Sequence, residues 1–217
     1  MVTNAVTVPE KLTRTTLEAA LHECRGCDLY RDATQVVPGE GRLRSRLILV
    51  GEQPGDHEDL AGEPFVGPAG RVLDRALDRA GIDRGDVFTT NAVKHFRFRT
   101  VGKRRIHQGP TRTQVVACRP WLLAELALVR PSGIVLLGGT AGKALYGNSF
   151  RIGSSRGQLL PWPEDIPITH PPDWVSATIH PSAVLRAEDR EAMFAGLVDD
   201  LVVARDALTR PGYDARH

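Results

Sequence analysis

The sequence predicts an α/β fold: a three-layer sandwich around a central, mainly parallel, four-stranded sheet. Three observations carry this expectation. First, four short β-like runs, at residues 47–50, 87–90, 134–137 and 175–179, alternate with helical patterns, and strands separated by helices pair in parallel. Second, residues 47–50 and 134–137 are apolar at every position, as in strands covered on both faces, with right-handed crossovers between them. Third, a polar motif directly follows three of the runs: Gly51-Glu52-Gln53-Pro54-Gly55, Asn91, and His180-Pro181-Ser182. Ligands of such sheets bind beyond the strand C-termini, so these loops should converge on one crevice.

In chain order, residues 1–14 read as a flexible leader, and a helical pattern at 17–21 leads into Cys24 and Cys27. Further helical patterns lie at 71–80, 114–129 and 140–146. We expect one domain over 15–205 and a flexible tail over 206–217. With 217 residues, 41% of them hydrophobic, the chain can bury a full core. No stretch approaches the roughly 18 apolar residues of a membrane span, and the start lacks a charged-then-apolar signal pattern. The expectation is a cytoplasmic monomer that does not engage membranes.

Net charge is only +2, yet of 28 Lys and Arg residues only Lys11, Lys94, Lys103 and Lys143 are lysines. Arginine forks suit phosphate. A genomic bias explains the bulk excess as well, so clustering is the better signal. The densest cluster is Lys103-Arg104-Arg105-Ile106-His107, which sets an imidazole beside three cations in a segment without strand or helix periodicity. We read it as a loop suited to a polyanion; a solvated charge run is the plainer alternative, favoured for Arg97, Arg99 and Arg112.

Three cysteines without a secretion signal argue against a disulfide framework and for a metal or redox role. Cys24 and Cys27 form a C-x-x-C pair, and Cys118 stands in the helical stretch from 114. Three thiolates leave a four-ligand site one short, and His95, just past the second strand, can fill it. Zinc, or a lone buried Cys118 beside a fortuitous pair, are the alternatives.

Together, Cys24-x-x-Cys27, Gly51-Glu52-Gln53-Pro54-Gly55, Phe65-Val66-Gly67-Pro68-Ala69-Gly70, Thr90-Asn91, Cys118-Arg119-Pro120 and His180-Pro181-Ser182 resemble the iron-sulfur uracil-DNA glycosylases of family 4, over Cys24 to about Leu201. Two departures stand out. His95 occupies a family cysteine position, and the segment 99–108 is an extra basic loop containing His107. Both match the UdgX class, whose Lys-Arg-Arg-Ile-His histidine bonds covalently to DNA after uracil is removed.

The resemblance implies a DNA-repair hydrolase acting on uracil-containing DNA, single-stranded or duplex, with a 4Fe-4S cluster on Cys24, Cys27, His95 and Cys118. Its base must be flipped out. Phe65 would stack on the flipped ring, the Asn91 amide would read its edge with one donor and one acceptor, and Gly51 and Gln53 would complete the base pocket. His180 would hydrogen-bond the uracil oxygen as charge develops, Glu52 would serve the cationic sugar with help from Asp56, and Ser182 would hold a phosphate. Lys103, Arg104, Arg105 and Arg186 would bind the DNA strand. His107 would be the nucleophile that leaves the protein trapped after a single turnover; conventional turnover by water is the alternative. Ordinary core packing for Phe65, a turn role for Asn91 and solvated loop positions for the acids are the plain readings of each residue alone.

Overall fold

In the computed structural model, which describes residues 6–209, the elements follow as α1 (Arg14–His22), β1 (Leu47–Gly51), α2 (Asp56–Ala61), α3 (Pro68–Ala80), β2 (Val87–Asn91), β3 (Phe98–Val101), β4 (Arg104–His107), α4 (Arg112–Val129), β5 (Gly133–Leu137), α5 (Gly139–Tyr146), α6 (Ile152–Ser155), β6 (Leu159–Leu160), β7 (Trp174–Thr178), α7 (Pro181–Arg186) and α8 (Arg190–Thr209). The main sheet has the order β2-β1-β5-β7-β6. Its first four strands pair in parallel and β6 runs antiparallel to β7. The expected four-stranded sheet is therefore present, widened by a two-residue edge strand too short to carry a sequence period.

Alternation along the strands divides the core into two layers. Ile48, Val50, Ile134, Leu136, Val175 and Ala177 face the layer that also holds Leu21, Trp121 and Leu145 from α1, α4 and α5. Leu47, Leu49, Val135, Leu137 and Trp174 face Leu73, Leu77 and Leu201 from α3 and α8. Side chains two apart share a face, so a strand buried on both sides must be apolar throughout, as β1 and β5 are.

Three expectations need correction. Residues 103–107 are not an open loop: β3 and β4 form a separate antiparallel hairpin with Val101 opposite Arg104 and Phe98 opposite His107. The two-residue turn between them uses Gly102 at φ +59°, a conformation glycine adopts without a Cβ penalty. Next, part of the expected leader is packed, with Val6, Val8 and Leu12 against the core and α1 starting at Arg14. The rest of that leader, and the tail beyond 209, lie outside the described residues. Finally, α8 covers 20 residues where no element was expected, and it runs past the anticipated boundary at 205 with Ala207 buried. Among the described residues no helix is long and apolar enough to cross a membrane.

Candidate functional site

The strand order reverses between β1 and β5, with β2 lying outward on one side and β7 on the other. At such a switch point the loops beyond the strand C-termini diverge and leave a crevice. There a cavity of about 600 Å³ opens, lined among others by Glu52, Phe65, Asn91, His107, His180 and Arg186. The three motifs that follow β1, β2 and β7 thus meet as expected. A larger cleft of about 990 Å³ lies beyond the hairpin beside Cys27, Tyr30 and Phe98, and no histidine lines it.

One end of the cavity is walled by Asn91, Phe65 and His180. Asn91 ends β2 in register with Gly51 and is 3% exposed. A Cβ on Gly51 would stand 2.7 Å from Phe65 Cζ and collide with Asn91 Oδ1, so glycine is what lets the amide and the ring approach β1. Phe65 itself adopts φ +60°, a strained state for an aromatic residue that persists where surrounding structure imposes it. Glu58 supplies part of that structure, its two carboxylate oxygens accepting from Gly55 N at 3.1 Å and Gly67 N at 2.8 Å. The phenyl ring stacks towards His180, centroids 6.3 Å apart.

His180 caps α7, and its Nδ1 accepts from Ser182 N at 3.2 Å and lies 2.7 Å from Ser182 Oγ. A ring nitrogen that accepts from a backbone N–H carries no proton, so the Ser182 hydroxyl donates to it and Nε2 bears the hydrogen. Burial, with Arg186 and His107 adding to it, pushes the imidazole down to about 4. His180 is therefore a neutral donor at ordinary pH. Ser182, expected from the sequence to hold a phosphate, lines the cavity with its hydroxyl on His180.

At the other end, Glu52 is held from two sides. Its Oε2 accepts from Thr140 Oγ1, near the start of α5, and its Oε1 faces His107 Nε2 at 3.4 Å. Burial pushes His107 below the ordinary imidazole range; Glu52 opposes this and Arg186 reinforces it. The ring remains half-exposed at the cavity mouth.

The hairpin bearing His107 is pinned at three points. Arg105 Nε meets Asp56 Oδ1 at 2.5 Å, and Arg105 Nη1 meets the fully buried Asp59 at 2.6 Å and Thr34 Oγ1 at 3.0 Å. The guanidinium also lies over the rings of Phe96 and Phe98. At the hairpin base, the Gln53 amide donates to the carbonyls of Arg97 and Gln108 at 3.1 and 3.0 Å and accepts from Arg97 N at 3.1 Å. Gln53 lines the cavity and gives its amide to the hairpin, Asp56 lines the cavity and pairs with Arg105, and Arg105 is held by Asp56 and Asp59. Lys103 and Arg104 remain exposed at the hairpin tip, and Arg186 is exposed at the cavity rim.

Sequence reasoning missed Thr140, Glu58 and Asp59. Glu58 had a legible signal, standing three residues after the Gly55 N-cap of α2. Thr140 and Asp59 had none, since their partners Glu52 and Arg105 are distant in sequence.

The cysteines gather on the α4 side. Cys24 Sγ accepts from Trp121 Nε1 at 3.1 Å and Gly26 N at 3.5 Å, and Cys118 Sγ accepts from Lys94 N at 3.2 Å. All three pack within one core layer, Cys118 buried and the pair partly so. Burial pushes the Cys118 thiol up to about 12 and raises Cys27 as well. His95 is buried nearby, its imidazole pushed down to about 4 by burial. Soft sulfurs that receive N–H donors suit a thiophilic metal group. Among the described residues no three His, Cys, Asp or Glu side chains converge on a single-ion site.

Comparison with known proteins accords with this geometry. The chain is 38% identical over 170 residues to the type-4 uracil-DNA glycosylase of Pyrobaculum aerophilum, covering 78% of this chain and 83% of the relative. It is 35% identical over 196 residues to that of Thermotoga maritima, covering 88% and 92%. The type-5 uracil-DNA glycosylase of Mycobacterium leprae is 36% identical over 118 residues, 48% of this chain and 50% of the relative. Residues 38–202 match the uracil DNA glycosylase superfamily, a span that contains every residue lining the cavity, and this chain belongs to that superfamily.

Proposed function

We propose that the protein excises uracil from DNA and then becomes covalently linked through His107 to the abasic sugar. The carrying observation is the placement of a neutral-leaning His107 imidazole 3.4 Å from Glu52, at the mouth of the cavity whose far wall is Asn91, Phe65 and His180. Cleavage of a glycosidic bond builds positive charge on the sugar and negative charge on the leaving base.

Base recognition falls to Asn91 and Phe65, with Gly51 allowing their approach. As the C1′–N1 bond breaks, the Nε2–H of His180 donates to the uracil oxygen that takes up charge, and the Glu52 carboxylate steadies the cationic sugar. A lone pair of the His107 ring then forms the C–N bond to C1′. The ring proton leaves by way of Glu52 and ends on the departing uracil, so the products are an alkylated imidazole and neutral base. A nucleophile held in place outcompetes diffusing water by proximity. Lys103, Arg104 and Arg186 hold the DNA phosphates on either side of the cavity mouth.

We assign a 4Fe-4S cluster to Cys24, Cys27, Cys118 and His95. When bound, it would supply positive charge beside the buried Cys118 and the partly buried Cys24 and Cys27, and would tie the segment after α1 to α4 and to the loop after β2.

Intact-mass measurement after mixing with a uracil-containing oligonucleotide tests the proposal: the mass should rise by that of the abasic strand less one water, and peptide mapping should place it on His107. The relatives named type-4 favour a second reading, conventional turnover by water, because Glu52, Asn91 and His180 make a complete base site without His107. In that case free abasic DNA accumulates beyond one equivalent and the protein mass stays unchanged.

A further inference from the structure

Directly behind Asn91 lies a charged group that the steps above do not use. Lys94 is wholly buried, and its Nζ reaches Thr90 Oγ1 at 2.5 Å, the Asn91 carbonyl at 2.7 Å and Glu125 Oε2 at 2.6 Å. Each ammonium hydrogen therefore has an acceptor. Glu125, on α4 and 2% exposed, also accepts from Thr90 Oγ1 at 2.7 Å and, through Oε1, from Gly39 N at 2.8 Å.

Such a pair is a poor device for stability alone. Desolvating two charges offsets much of their attraction, and well-packed apolar residues of similar volume serve a core equally well. What the pair does hold is one peptide unit. The Asn91 carbonyl is fixed by Lys94, and the N–H on the other side of that peptide, from Ala92, is fixed by Gly51 O at 2.9 Å. The side chain of Asn91 leaves the backbone between these anchors and the cavity.

We propose that Lys94 is a positioning residue for base discrimination, its ammonium locking the Asn91–Ala92 peptide so that the Asn91 amide meets the base in one place and one orientation. The inference rests on the reading of Asn91 as the residue that contacts uracil. Orientation matters because uracil offers an acceptor and a donor where cytosine offers a donor and an acceptor, so a displaced or turned amide loses the pattern that separates them. The backbone N–H of Lys94 also donates to Cys118, and a side-chain substitution leaves that bond in place.

The test compares single-turnover excision from oligonucleotides carrying uracil or cytosine, alongside thermal melting. Because Lys94→Met alone strands Glu125 without its cation, the main variant is Lys94→Met with Glu125→Leu. We expect it to melt cooperatively while uracil excision slows roughly tenfold or more and the uracil-to-cytosine rate ratio falls. A folded double variant with wild-type rate and ratio overturns the proposal. If the double variant does not fold, Thr90→Val decides, since it removes one of the three acceptors that hold the ammonium; an unchanged ratio again overturns the proposal. Asn91→Asp, measured in parallel, separates the two levels. An unchanged ratio there overturns the role of Asn91 and the proposal with it, whereas a changed ratio for Asn91→Asp beside an unchanged one for the Lys94 variant overturns only the proposal.

Discussion

Arg105 Nη1 lies 2.6 Å from Oδ2 of Asp59, a carboxylate with no solvent exposure. The contact joins β4, which carries His107 two residues on, to α2, which follows the Glu52 motif. The position of His107 relative to Glu52 is thus set by an ion pair outside the cavity.

Replacing Arg105 with Gln should therefore separate the two chemical steps. The base pocket is untouched, so uracil release should persist, while a displaced His107 should slow adduct formation by about 100-fold, the scale of loss expected for small misplacements of a reacting group. Quenched time courses that score free uracil and protein–DNA adduct separately check this; equal slowing of both would argue that Arg105 acts through DNA binding instead.

Thr140 is expected to matter through Glu52. Thr140→Val removes the hydroxyl that orients Oε2, and a hydrogen bond to a charged group is worth about 1.5–3 kcal/mol, so the excision rate should drop roughly 10- to 100-fold with little change in melting temperature. A Thr140→Ser variant should restore most of the rate, because the donor returns. Equal rates for Val and Ser would count against the assignment.

Acid sensitivity follows from His180. Its folded value of about 4 lies below the ordinary imidazole value near 6.5. Between these values the unfolded chain binds the proton that the folded protein excludes, so stability is full above about pH 6.5 and declines as pH falls towards 4. Excision should nevertheless stay flat through pH 6.5, where a solvent-exposed imidazole would already titrate, and fail only as His180 gains its proton and gives up the Ser182 N–H bond. A rate that falls with a midpoint near 6.5 would show that His180 is not the neutral donor described.

The loop elements of this chain were less legible than its frame. The four parallel strands could be read because both faces of β1 and β5 are apolar, and Asn91, Glu52 and His180 because each lies at or just past the C-terminal end of a strand. The hairpin was not, since three of the four residues of β4 are charged or imidazole and β3 and β4 pair only with each other. Helix α8 carried a legible signal that went unread, since Phe194, Leu197, Val198, Leu201 and Val202 stand at the i, i+3, i+4, i+7, i+8 spacing of one helix face. Pairings across long separations, Arg105 with Asp59 or Glu52 with Thr140, leave no local pattern at all.

Gly51 gives a steric prediction. Gly51→Ala would push a methyl group into Phe65 and Asn91, so the folded variant should lose uracil excision by at least about 100-fold while still binding DNA through the hairpin tip, as a salt-sensitive mobility shift would report. Retained excision would mean that Asn91 and Phe65 do not form the base pocket.

The cysteine centre is open to a direct check. Purified protein should show the broad visible absorbance of an iron-sulfur group, and Cys118→Ser should abolish it and lower the melting temperature, because the centre ties three segments together. A colourless protein containing stoichiometric zinc would replace the cluster assignment.

Covalent trapping by His107 can be read on a denaturing gel of protein boiled after mixing with a uracil-containing oligonucleotide. A heat-resistant shifted band is expected for the wild type, and for His107→Ser no such band but free abasic DNA. Turnover to free abasic DNA by the wild type, or an adduct that survives in His107→Ser, would contradict it.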